Sequence, residues 1–228
     1  MTPKYQLLRS ARRKTLAIQV RDGQVVVRAP VRASSATIEA FIRSRAGWIR
    51  EHQQRQLHAI DTLGIRLEQG GAVPWQGEML RLDWQRGGAS EVGQDCSRFL
   101  VTLSHRIRRV EVDAVRDQLK RWFMQQSEMR LKTRIHELAG ETGLMPSAVA
   151  IGSWRGRWGQ CSSKGEVGLN WRLLQLTPAL QDYVILHELC HLRHMNHGRE
   201  FHALLRWHCP AHPRLHAEMQ RYTPWLKW

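Results

Sequence analysis

Eleven residues carry the densest chemistry of the chain: His187-Glu-Leu-Cys-His191-Leu-Arg-His-Met-Asn-His197. They contain a His-Glu-x-x-His unit with a further histidine six residues on. On a helix, residues four apart project from nearly the same face, so His187 and His191 can hold one metal ion together. Glu188 follows the first candidate ligand and can reach a water at that ion. This is the arrangement with which a zinc hydrolase activates water near neutral pH.

The surrounding residues predict the helix that must present these groups. Thr177 can N-cap it and Pro178 suits its first position. Leu180, Tyr183, Val184, Ile185, Leu186, Leu189 and Leu192 make it apolar over most of its circumference, as expected of a buried helix. Two histidines and a glutamate on such a helix need partners, which a metal supplies. His197 lies about 240° beyond His191 if the helix continues, the wrong face. The spacing therefore predicts that the helix ends near His194 and the chain turns back, with Asn196 and Gly198 tolerating a left-handed turn.

Spacing permits His197 as third ligand but does not select it. Eight of the twelve histidines lie between 187 and 216. His194 would be rotated away from the pair, and Glu200 or Glu218 would complete a two-His, one-Glu set. Cys190 stands three residues after His187 and reads as a small core residue.

Composition bounds the rest. A chain of 228 residues with 42% hydrophobic content can form one large domain or two small ones. No apolar run approaches the ~20 residues of a membrane span. Residues 1–15 lack the apolar stretch of a secretory signal. Four cysteines without a C-x-x-C pair suit a reducing compartment, so the expected location is cytoplasmic. The net charge is +15, and residues 1–60 alone carry twelve Lys/Arg against Asp22, Glu39 and Glu51. A basic surface of this kind can attract nucleic acid or nucleotides. No groove-reading motif, finger or RNP sequence accompanies it, which favours a solvated face.

The pattern along the chain predicts an α+β protein with a boundary near residue 112. A β-rich N-terminal region with one helix (1–112) would precede a catalytic region (113–228). Strands are expected over Thr15–Val20 and Gln24–Arg28 around an Asp22-Gly23 hairpin turn, then a helix from Ser34 or Ser35 to about His58. Gly64–Gly77 reads as loop-rich, Arg86–Ser90 as a turn, and Glu78–Trp84, Arg98–Ser104 and Arg108–Val112 as strands. A long helix from Ala114 should end at Ala139-Gly140. Val149–Ser153 and Val167–Trp171 read as strands joined by a Lys164-Gly165 turn. After the candidate metal helix, further helices are expected over Arg199–Trp207 and from His212.

Together these residues carry a resemblance. The run Trp154-Arg-Gly-Arg157-Trp158-Gly159-Gln-Cys161-Ser, then Asn170-Trp171, Tyr183-Val184, His187-Glu-Leu-Cys-His-Leu and Asn196-His197, resembles the YgjP-like metallopeptidase family. These are zincin-like proteins related to the WLM and SprT-like peptidases. The N-terminal strands look similar too, so the resemblance covers nearly the whole chain. It implies a zincin-like domain, zinc as cofactor, His187, His191 and His197 as its ligands, and Glu188 as general base. Three positions depart from the pattern: Gln160 replaces a Ser, Gly198 replaces the Ser after Asn-His, and His202 replaces a Trp after Phe201. The histidine spacing also matches the metzincins, but His194 stands where they have Gly, so the turn must differ.

The function these features imply is zinc-dependent hydrolysis of peptide or protein substrates. Arg157 is a candidate for holding a substrate carboxylate or a developing oxyanion, or else for fixing its own loop. An edge strand at Val167–Trp171 would align an extended peptide. Two alternatives differ in class. One is metal-dependent hydrolysis of nucleotide phosphoanhydrides, which the arginine excess would suit. The other is a DNA-associated or binding protein with a structural metal, against which an open three-His site speaks.

Overall fold

The computed structural model describes residues 5–21, 24–51 and 64–227. The chain forms two compact units, Met1–Leu63 and Gly64–Trp228. Helices and mixed sheets occur together, which is the expected α+β class.

The first unit is a three-stranded sheet with a helix. The strands are β1 (Tyr5–Ser10), β2 (Ala17–Arg21) and β3 (Gln24–Pro30). Central β3 pairs parallel with β1 and antiparallel with β2. Its alternation buries Val25, Val27 and Ala29 on one face, where Ile38, Ile42 and Ile49 meet them. Helix α1 (Ser35–Ser44) starts at Ser34, whose side chain accepts from the Thr37 N–H. Helical backbone breaks at Arg45 and resumes over 46–51. The expected Asp22-Gly23 turn and the end of the helix near His58 lie outside the described residues.

The second unit opens with a four-stranded sheet in the order β4-β5-β7-β6. Its strands are β4 (Gly71–Trp75), β5 (Glu78–Gly87), β6 (Glu91–Gln94) and β7 (Arg98–Ser104). The passage 64–77 was expected to be loop, yet it contains β4. Gln76 and Gly77, with φ of 54° and 91°, form a two-residue hairpin turn of the type whose twist suits adjoining strands. The expected turn at 86–90 is shorter, because β5 runs on through Gly87 and only 88–90 lie between β5 and β6.

Helix α2 (Glu111–Thr142) crosses this sheet. No strand forms over Arg108–Val112, because Glu111 and Asp113 open the helix, where carboxylates complement its dipole. Glu111 also accepts hydrogen bonds from Trp84 Nε1 at 3.1 Å and Arg86 Nε at 2.7 Å. The helix passes the exposed Gly140 and ends at Gly143, whose φ of 71° supplies the left-handed cap. Trp75, Phe99, Trp122, Phe123 and Trp171 make one aromatic cluster, with ring centroids 4.9–6.2 Å apart between Trp75 and its three partners. Phe99 of β7 packs on Trp122 and Phe123 of α2, so the chain on the two sides of residue 112 shares one core, and the compact units divide near residue 63.

The remaining elements surround the histidines. Strands β8 (Ala148–Gly152), β9 (Gly159–Cys161) and β10 (Glu166–Asn170) form a sheet in the order β8-β10-β9. Strand β10 is therefore central, flanked by parallel β8 and antiparallel β9, and not the expected edge. The Lys164-Gly165 turn, with Gly165 at φ 79°, joins β10 to the short β9 that sequence periodicity was too brief to show. A 3-10 segment, Trp171–Gln175, leads into α3 (Pro178–Cys190), followed by α4 (Arg199–His208) and α5 (His212–Tyr222). The hairpin turn of β4 and β5 seats this junction. Gln76 N–H donates to Leu174 O at 2.8 Å and Gly77 N–H to Gln175 O at 3.0 Å. Gln181 Nε2 donates to Gln76 Oε1 at 3.1 Å. Among the described residues, no helix is long and apolar enough to cross a membrane.

Candidate metal centre

Helix α3 carries the first two histidines as the sequence requires. Leu180, Tyr183, Val184, Ile185, Leu186, Leu189 and Cys190 are buried, which locks the helix rotation and leaves His187 half-buried. The helix ends at Cys190, one turn earlier than expected, and His191 is its C-cap at φ −65°. Stopping there lets the chain reverse through ordinary conformations. Asn196 has no positive φ, and Gly198 is extended at φ −80°, so the expected left-handed turn is absent.

The reversal brings His197 back. The ligand atoms of His187, His191 and His197 all lie within 4.8 Å of one another, the sole such metal-binding group among the described residues. His187 Nε2 and His197 Nε2 are 3.1 Å apart. Two nitrogens that shared one tetrahedral zinc would stand about 3.3 Å apart for Zn–N bonds of about 2.0–2.1 Å. His191 Nδ1 lies 3.0 Å from the His194 carbonyl, so it carries the proton and leaves the Nε2 lone pair for a metal. Buried Phe201 of α4 packs beneath all three rings, at centroid distances of 5.0, 4.6 and 4.7 Å. These residues fit a metal ion: three imidazoles converge on one point over an apolar floor.

Electrostatics agree with that fit. Burial pushes His187 down to about 3, with His191 and His197 adding repulsion, so it stays neutral. Burial also lowers His191, against the His194 carbonyl. Glu188 is buried and pushed up to about 7 by desolvation, with Arg157 pulling the other way. A carboxyl poised there can accept and return a proton near neutral pH.

The competing ligands go elsewhere. His194 pairs loosely with exposed Glu200 at 3.5 Å. Glu218 sits on α5, and Cys190 is buried with its thiol pushed up to about 12. His202 is exposed, with its ring 6.5 Å from that of His197.

The segment upstream of α3 shapes the other wall. Gly159 of β9 lies against Glu188: a Cβ there would come within 2.6 Å of Glu188 Oε1. Fully buried Asn170 ties down the loop before β9 by donating to the Trp154 and Arg157 carbonyls at 2.7 and 2.9 Å. Arg157 is exposed and donates to Gln160 Oε1 at 3.1 Å. Its charge reaches Glu188, while its backbone is part of the loop anchor. Sequence reasoning missed Gly159 and Phe201 as site residues. A glycine or phenylalanine carries no chemistry that spacing can reveal.

A helix-borne His pair, a returning third His and a buried glutamate define a metallopeptidase-like site. The family model described as YgjP-like, metallopeptidase domain, matches residues 14–222, and the chain belongs to this family. Neither the curated proteins nor the solved structures contain a match to the chain.

Proposed function

We propose that this protein is a zinc-dependent peptidase in which His187, His191 and His197 hold the metal and Glu188 is the general base. The observation that carries the reading is the convergence of three imidazoles beside a buried carboxyl whose pKa burial pushes up to about 7. Bound zinc supplies Lewis-acid activation of water and of the scissile carbonyl. Glu188 takes a proton from the attacking water and returns it to the leaving nitrogen. Arg157, next to Glu188 in charge if not in contact, holds a substrate carboxylate or the developing oxyanion. Among the described residues nothing pairs with the outer edge of β9, so an extended peptide can add there by backbone hydrogen bonds and pass Glu188. The four free cysteines suit a reducing, cytoplasmic setting.

The test is metal analysis with an activity screen on unfolded protein substrate and on nucleoside triphosphates. Wild type should hold one zinc and cleave peptide bonds. Glu188→Gln should keep the metal and lose turnover. Persistent hydrolysis by Glu188→Gln would remove its role, and activity confined to the triphosphates would overturn the peptidase reading.

A further inference from the structure

A concavity of about 630 Å³ opens beside the histidine cluster, lined by His197 itself and by Gly198, Arg199, His202, Ala203 and Arg206. Positions 199, 202, 203 and 206 follow helical spacing, so they share one face of α4. Phe201 and Leu205 are buried on another face, where Phe201 packs beneath the three imidazoles. That packing fixes the rotation of α4 and turns its basic face outward beside the third histidine. The His202 ring lies 6.5 Å from that of His197.

No carboxylate lines this space. Arg199 and Arg206 are exposed, and among the described residues no acid pairs with either. The one acid on the helix, Glu200, lines the neighbouring hollow and sits 3.5 Å from His194. Two positions at which the chain departs from the family pattern also lie in this wall. A Cβ added at Gly198 would meet nothing within 4 Å, so the serine usual there would project into open space. His202 puts an imidazole where the larger indole is usual. Both departures remove bulk next to the third histidine and leave the two guanidinium groups to define the wall.

Given the peptidase reading, on which this rests, we infer that the face selects peptides with an acidic stretch next to the cleaved bond. Arg199 and Arg206 stand seven residues apart, about 10 Å along the helix axis. About three residues of extended peptide cover the same length. Guanidinium forks match carboxylate oxygens in pairs, so two side-chain carboxylates on that stretch meet two arginines. Each such exposed contact is weak alone. Two of them give discrimination in kcat/KM of about tenfold at low salt, shrinking as salt is raised.

The test starts from a bond that wild type cleaves in an unfolded protein. That bond is rebuilt in C-terminally amidated peptides whose three residues on one side or the other are Glu, Gln or Lys. Wild type should cleave one Glu series with a kcat/KM about tenfold above its Gln counterpart. Labelled peptides should bind the metal-free protein in the same order, where no turnover intervenes. Arg199→Gln/Arg206→Gln should bring the ratio to near one. Arg199→Glu/Arg206→Glu should favour the Lys series instead, an inversion that a misfolded variant could not give. Arg106→Gln/Arg108→Gln removes the same charge from exposed positions outside the concavity and should keep the wild-type ratio. Equal cleavage of Glu and Gln peptides by wild type, a ratio that survives Arg199→Gln/Arg206→Gln, or an equal loss in the Arg106→Gln/Arg108→Gln control would each overturn the inference. The last would make net charge the cause. Cleavage of no peptide bond would remove the peptidase reading and this selectivity with it.

Discussion

Replacing Glu188 by Gln should stabilise the metal-free protein, and the gain should depend on pH in a defined way. Burial raises this carboxyl from its ordinary 4.5 to about 7. Each unit corresponds to ~1.4 kcal/mol, so the ionised side chain costs the folded state about 3 kcal/mol once pH exceeds 7. The sign follows from proton binding. Below pH 4.5 both folded and unfolded chains hold the proton and the term vanishes. Between 4.5 and 7 the unfolded chain releases it first, so wild-type stability falls as pH rises. His187, lowered to about 3, acts oppositely: as pH falls below 6.5 the unfolded chain gains a proton first and stability is lost toward acid. That contribution is common to both proteins and cancels in their difference. Urea unfolding of EDTA-treated wild type and Glu188→Gln from pH 4.5 to 8 should therefore show a stability difference rising from near zero to about 3 kcal/mol. A difference that is constant or shrinks with pH would refute the burial argument.

Gly159→Ala places a methyl 2.6 Å from Glu188 Oε1 and 2.9 Å from its Cδ, and buried Glu188 cannot swing into solvent. Turnover should fall about 100-fold, the effect of an ångström-scale misplacement, with metal content unchanged; unchanged turnover would show that the carboxyl need not be where it stands. Phe123→Ala removes the ring that joins Phe99, Trp122 and Trp171, and calorimetry should register a loss of about 3–5 kcal/mol. Arg134 of α2 grips Asp182 of α3 through two bonds of 2.8 and 2.9 Å, but both side chains are about one-third exposed. Arg134→Ala should accordingly cost only about 1 kcal/mol in denaturant unfolding, less at high salt, and a cost several times larger would mean that solvent does not screen the pair.

The histidine helix was legible because its apolar residues and its His-Glu-x-x-His unit share one period. The return of His197 was legible only as a requirement. Its route was not, since the helix stops at Cys190 where no breaker marks the stop. Strands β4, β6 and β9 were hidden for different reasons. The first reads as loop because it contains Gly71 and Pro74 and runs straight into the Gln76-Gly77 turn, and the others have four and three residues, too few for alternation to register. The compact units divide near residue 63, and the Phe99–Trp122–Phe123 contact joins residues on either side of 112; side chains that meet across a fold leave no local signal.

The turn at Gln76-Gly77 has a consequence for how the protein is made. It meets Gln181 across 105 residues of chain. Closing a loop of that length costs about 4 kcal/mol in chain entropy beyond a constant term. At roughly 5–20 residues per second of synthesis, the hairpin leaves the ribosome about 5–20 s before the helix it will seat. A two-residue turn is encoded locally and can form during that wait. The histidine helix has no such independence, because its N-terminal junction is hydrogen-bonded to the hairpin. The cluster of three histidines is therefore among the last parts of the chain to assemble, onto a strand turn made long before it.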